Sequence, residues 1–206
     1  MQDDSFVLDM SKMNDISLSS FDQITISPGS NFDALYSLNS ETNTQSVGGM
    51  CGTVGPVGFS LGGGHGPLIR SYGLGADQIQ SVNLVLASGD YIEVTEMSDP
   101  DLFWALQGGA GGSFGVVTSM TLKTHPAPPS VTSFTCNYPL SVNDDTTDGQ
   151  KALASWWSNI MPNLPNEWHF FTIVAPQPIP LEMKVPSYDK VRSYKSSSIF
   201  SLNRSL

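Results

Sequence analysis

Hydrophobic and polar positions alternate most cleanly between Ile79 and Glu96. Val82, Leu84 and Leu86 alternate with Asn83, Val85 and Ala87, Ser88-Gly89 supplies a turn, and Tyr91, Ile92 and Val94 continue on a return strand; this predicts a β-hairpin. Upstream, Phe6-Val7-Leu8-Asp9 and Ile24-Thr25-Ile26 read as short strands, the second closed by the turn signal Ser27-Pro28-Gly29-Ser30. Phe32, Leu35, Tyr36 and Leu38 then recur at helical spacing, with Ser30 or Asn31 available as N-cap. A second helix is predicted after Ser98, with Ser98 as N-cap, Asp101 three residues on, and Leu102, Phe103 and Leu106 as its buried stripe; Phe103 and Trp104 are both expected in the core. Gly108-Gly109 stops it, and Gly115 to Lys123 is a β-branched, alternating strand.

Pro126-Ala127-Pro128-Pro129 enforces extended chain and marks a domain boundary. Beyond it, Val131 to Tyr138 reads as a strand, residues 150–161 as a helix with Ala152, Leu153, Trp156, Trp157 and Ile160 on its apolar side, and Trp168 to Val174 as another strand. From Pro176 the pattern fades into a Ser-rich, basic stretch expected to be disordered. The predicted division is residues 1–126, 127–180 and a disordered tail 181–206, in the α+β class.

Between Val47 and Gly75 no period holds, and composition takes over as the signal. Eleven of the 19 glycines lie between Gly48 and Gly75, and the stretch reads as tight turns joined by short extended pieces. Residues 1–122 hold thirteen acids against two bases, Lys12 and Arg70, within a formal net charge of −10. Such a surface disfavours nucleic acid. A phosphate-bearing ligand in the glycine region would have to be held by backbone N–H groups. No run reaches the roughly 18–20 apolar residues of a membrane span. The acidic N-terminus MQDDSFVLDM lacks the features of an export signal. Cys51 and Cys136 form no disulfide framework, and no His/Cys spacing suggests a metal site. A dinucleotide-binding G-x-G-x-x-G is absent, since Gly62 and Gly64 are followed by Pro67, and Gly109 and Gly111 by Phe114. A P-loop is absent because no lysine lies between Lys12 and Lys123. What remains is a ligand threaded along an extended glycine track.

Those residues carry a resemblance. Gly48-Gly49-Met50-Cys51-Gly52-Thr53-Val54-Gly55, then Gly58, Leu61-Gly62-Gly63-Gly64-His65-Gly66 and Tyr72-Gly73-Leu74-Gly75-Ala76-Asp77, resemble the FAD-binding module of the vanillyl-alcohol-oxidase (PCMH) type, in its berberine-bridge-enzyme-like branch. Asp99 to Leu106, then Gly108-Gly109 and Gly111 to Val117, agree in order and spacing, and Asp9 to Asn14 matches more weakly. The resemblance spans about residues 5–126 and implies a second FAD subdomain, a mixed sheet flanked by helices, followed by the start of an α+β substrate domain. It implies FAD contact at Gly48, Gly49, Cys51, Gly52, Thr53, Val54, Gly55, Gly58, Gly62, Gly63, Gly64, His65, Gly66, Tyr72, Gly73, Asp77, Gly115, Val116 and Val117, and a thioether from Cys51 to the flavin ring. The implied activity is oxidation of a small organic molecule by hydride transfer to the flavin, reoxidised by dioxygen, in fungal secondary metabolism such as alkaloid oxidation. Against the family pattern, the pyrophosphate loop and the part that supplies the catalytic base are missing. The expectation is therefore a chain truncated at both ends, to which a complementary chain could supply the missing flavin lobe, and no residue is assigned as base. His65, His125 and Asp77 are read as structural or loop-supporting, and His169 as a minor candidate for the substrate side.

Overall fold

The computed structural model describes residues 7–109, 111–131, 133–139, 148–174 and 197–203. It divides between Ala127 and Pro128 into two units.

In the first unit, β1 (Ile16–Ser20), β2 (Gln23–Ile26), β6 (Val116–Lys123), β4 (Ile79–Val85) and β5 (Tyr91–Val94) form a five-stranded sheet in the order β1-β2-β6-β4-β5. Every pair is antiparallel, so the expected α+β class holds but the mixed sheet does not. Alternation sets the faces. Ile24, Ile26, Val82, Leu84, Val94, Met120 and Leu122 point inward and are buried, together with Phe32 and Leu35 of α1 (Phe32–Thr42), Val57 and Leu61 of α2 (Pro56–Leu61), and Phe103 and Leu106 of α4 (Pro100–Leu106). Each such side chain contributes about 1.5–3 kcal/mol by leaving water. On the other face Thr25 and Thr121 share a 3.0 Å hydrogen bond between hydroxyls, and Asn83 Nδ2 donates to Ser119 Oγ at 3.1 Å. Between α1 and the glycine-rich stretch, β3 (Thr44–Gln45) pairs with β7 (His125–Pro126), opposing Gln45 to His125.

Several expectations need correction. Val7, Leu8 and Asp9 form no strand and lie exposed, while β1, too polar to signal itself, is an edge strand. The glycine-rich stretch contains two short helices, α2 and α3 (Ile69–Tyr72); Pro56 at the first position of α2 presets its φ, which offsets the poor propensity of Gly58. Asp99, not Ser98, caps α4, its carboxylate accepting from Leu102 N at 3.1 Å, because the Ser98 hydroxyl is engaged by Thr95 N at 2.9 Å. Trp104 is 78% exposed, since adjacent helix positions face about 100° apart and Phe103 already holds the inward direction.

In the second unit, β10 (Ser197–Asn203) lies between β8 (Ser133–Pro139) and β9 (His169–Val174), parallel to both. The expected disorder thus fails for Ser197–Asn203, whose Ile199, Phe200 and Leu202 supply strand-forming residues among the serines. The rest of 181–206 lies outside the described residues. Helix α5 (Asp148–Ser155) passes into a π-helical turn, Trp156–Ile160. The wider i→i+5 spacing breaks the helical phase, so Trp156 is buried while Trp157 and Ile160 are exposed.

Candidate functional site

The glycine-rich stretch is held from below by α1. Asn31 caps that helix through Oδ1, which accepts from Ala34 N. The amides of Phe32 and Asp33, at the first turn, donate to the carbonyls of Val54 and Gly52 at 3.0 and 2.9 Å, so the 48–55 loop occupies the helix N-terminus. Phe32 stacks on Tyr36 with ring centroids 5.3 Å apart and meets Phe59 edge-on at 5.0 Å. This aromatic floor explains Gly48: a Cβ there would stand 2.5 Å from both Phe32 and the Tyr36 hydroxyl, which itself donates to Gly49 O. A Cβ at Gly52 would strike the Asp33 carboxylate, and one at Gly66 the carbonyl of Gly48.

A second turn is tied to a third. Gly75 N donates to Gly64 O at 2.9 Å and Ala76 N to Gly63 O at 2.8 Å, so the 62–66 and 73–77 turns move as one piece. Gly64 has φ +78, and a Cβ would lie 2.9 Å from Gly75 Cα, so both geometry and packing require glycine there. Asp77 Oδ2 accepts from Leu74 N at 2.7 Å, and the Asp77 side chain is therefore spent on its own turn.

Along the outer rim, Cys51, Thr53, Val54, Gly58, Gly62 and His65 are exposed. The Cys51 thiol is free, with Sγ 3.9 Å from Thr53 Oγ1 and open to reagents or a ligand. Gly58 is the informative glycine. It sits within α2, has no positive φ, and a Cβ there would find nothing within 4 Å. Neither backbone conformation nor the chain's own packing calls for glycine at that point, so the open space above it fits close approach of a ligand. Buried Ser60 Oγ, two residues on and on the opposite side of α2, has no hydrogen-bond partner among the described residues.

Not every sequence-predicted residue joins this rim. Tyr72 turns away: its hydroxyl accepts from Gln45 Nε2 at 2.9 Å, its ring stacks on His125 at 3.8 Å, and its carbonyl accepts from Gln78 Nε2 at 2.7 Å. Gly115 packs against β4, where a Cβ would lie 2.7 Å from Val85 O; Val117 enters the core and Val116 is exposed. The Gln45–Tyr72–His125–Gln78 cluster had no local sequence signal, because its members lie up to 80 residues apart. His169 lies in the second unit, in β9. Among the described residues, no group of three or more His, Cys, Asp or Glu side chains could hold a metal ion, and no helix is long and apolar enough to cross a membrane.

The first unit is thus an antiparallel sheet covered by helices, with glycine turns over an aromatic floor and a free thiol on the rim. Residues 1–95 match the family of FAD binding domains. The chain is 37% identical over 160 residues to xylooligosaccharide oxidase of Thermothelomyces thermophilus, covering 77% of this chain and 32% of that protein. It is 33% identical over 171 residues to berberine bridge enzyme-like 24 of Arabidopsis thaliana, covering 82% and 30%. The solved structure of 6-hydroxy-D-nicotine oxidase from Arthrobacter nicotinovorans superimposes with a TM-score of 0.57 at 36% identity, over 60% of this chain and 27% of that one. The chain is thus similar to FAD-linked oxidoreductases, berberine-bridge-enzyme-like proteins among them, and its cofactor is FAD. It spans about a third of the length of these two curated relatives.

Proposed function

We propose that the first unit seats FAD on the rim from Gly48 to Gly66, with Cys51 its covalent anchor, in an oxidoreductase that oxidises a small organic molecule and returns the electrons to dioxygen. The observation that carries the reading is Gly58, a helical glycine with open space where its side chain would be. When bound, FAD supplies a two-electron acceptor that takes a hydride equivalent from substrate and passes the electrons on. The chain's own part is to bind and orient. Glycines bring backbone close to the cofactor, the Phe32–Tyr36–Phe59 floor fixes the height of the Gly48-Gly49 segment, and the exposed thiol of Cys51 is within reach of a ring laid along it. Tyr72, through Gln78, and Asp77, through Leu74 N, support these turns. No residue is assigned the proton-accepting role.

Two relatives, oxidases of a xylooligosaccharide and of 6-hydroxy-D-nicotine, favour a small substrate and dioxygen as acceptor. The run Gly52 to Ser60 favours a fungal, secondary-metabolic setting. A complementary chain completing the flavin seat is the second reading, favoured by the exposed Val54, Trp104 and Phe114. The test is to load the chain with FAD, mix it anaerobically with oligosaccharides and with cyclic amines, and follow the flavin colour. Bleaching that reverses in air supports the reading; colour that bleaches and stays bleached in air removes dioxygen from it, and flavin that never co-purifies removes the site.

A further inference from the structure

The Phe59 ring stands between the two halves of the rim. Val57 and Leu61, two positions away on either side, are buried and pin α2 to the core, so Phe59 leaves that helix on the opposite side, toward the glycine turns. One edge of its ring faces the Cys51 loop: a Cβ at Gly49 would stand 3.3 Å from Phe59 Cε2. The other edge faces the remaining turns: a Cβ at Gly64 would stand 2.7 Å from Phe59 Cε1, and one at Gly75 3.0 Å from the same atom. Gly49 and Gly75 have no positive φ, so backbone conformation does not call for glycine at either; the ring between them takes the room a side chain would need. Each half is fastened separately. The first is bound to α1 at Gly49 O by the Tyr36 hydroxyl, at Gly52 O by Asp33 N and at Val54 O by Phe32 N. The second is closed on itself by Gly75 N to Gly64 O and Ala76 N to Gly63 O. The halves also touch where Gly66 approaches Gly48 O, so the ring acts as a spacer beside that pivot.

We propose that Phe59 is a positioning residue: the width of its ring sets the gap between the Cys51 loop and the Gly62–Gly66 and Gly73–Asp77 turns, and through that gap where the Cys51 thiol stands relative to a flavin laid on the rim. The inference rests on the reading of this rim as the flavin seat, but one arm of its test does not. Thioether formation replaces the thiol hydrogen and one flavin ring hydrogen by an S–C bond; the two electrons and two protons released go to the flavin and from it to dioxygen. A bond-forming step of this kind is sensitive to placement, with a shift of about 1 Å costing on the order of a hundredfold in rate. Uptake of the cofactor draws on backbone contacts spread along the whole rim and depends far less on the width of one gap. Rate of attachment and extent of uptake should therefore part company when the ring is narrowed.

The first arm is amide hydrogen exchange on the flavin-free 206-residue chain. Phe59→Leu should lose about tenfold or more of the protection at Phe32 and Asp33, whose amides hold the first half, and at Gly75 and Ala76, which close the second, while Val82 and Leu84 in β4 keep theirs. Gly49→Ala, whose methyl meets the Phe59 and Phe32 rings first, should lower protection at Gly75 and Ala76, beyond the far edge of the Phe59 ring, and that effect should vanish in the Phe59→Leu background. The second arm supplies FAD in air and follows total bound flavin by absorbance and flavin joined to Cys51 by mass. Phe59→Leu should slow attachment about tenfold or more while total uptake changes by less than about threefold, and Phe59→Tyr, which keeps the ring and both its edges, should restore the wild-type rate. Protection at Gly75 and Ala76 that ignores Gly49→Ala, or attachment and uptake that fall together in Phe59→Leu, overturns the proposal. If Phe59→Leu unfolds as a whole, seen as loss of protection in β4, Gly49→Ala in the wild-type background still decides. A wild-type chain that takes up no flavin overturns the reading of the rim, and the first arm then decides the spacing role by itself.

Discussion

Replacing Gly58 with Ala separates the chain's own packing from what the rim is for. Gly58 lies inside α2 without positive φ, and the added methyl would meet nothing within 4 Å. Glycine in a helix interior is worth about 0.5–1 kcal/mol less than alanine. Gly58→Ala should therefore raise stability by about that amount, or roughly 1–4 °C in Tm for a chain of this size. The same methyl would stand in the space assigned to FAD, so flavin uptake should fall by about tenfold or more, equivalent to about 1.4 kcal/mol of binding. Thermal unfolding of the flavin-free chain gives the first number, and flavin titration of the same sample gives the second. A variant less stable than wild type would refute the open space above α2. A more stable variant that takes up flavin undiminished would place the cofactor elsewhere.

Four other substitutions and one labelling experiment probe separate parts of the account. Phe103→Ala should cost about 3–5 kcal/mol in urea unfolding, because its ring is buried against the sheet, whereas Trp104→Ala should change stability by less than about 0.5 kcal/mol. Asp99→Ala removes the α4 cap and should cost about 1 kcal/mol, with Ser98→Ala as the comparison that tells the two capping assignments apart. Cys51 in the flavin-free native chain should react with a thiol reagent without denaturant, and peptide mapping should show bound flavin protecting it.

The parts of this fold that could be read from sequence are those whose signal is local. The β4–β5 hairpin announces itself by alternation and Ser88-Gly89, and α1 by its apolar spacing and Asn31. β1 could not be read, since an edge strand of Ile-Ser-Leu-Ser-Ser buries little and needs only the backbone of β2. α2 was hidden because Pro56 and Gly58 argue against helix locally while tertiary contacts at Val57 and Leu61 decide for it. The glycine motifs located the rim but not which members face outward: Tyr72 is consumed by Gln45, His125 and Gln78, and Val117 by the core. Those roles depend on side chains brought together from distant positions, where no spacing rule reaches.

The central claim is a backbone-lined FAD seat with Cys51 as its anchor, and mass spectrometry tests it most directly. The 206-residue chain, produced with FAD and denatured in acid, should stay yellow and carry the mass of one FAD on the peptide containing Cys51, and Cys51→Ser should lose that mass. A colourless chain of unmodified mass, or flavin attached to a peptide that lacks Cys51, would contradict it.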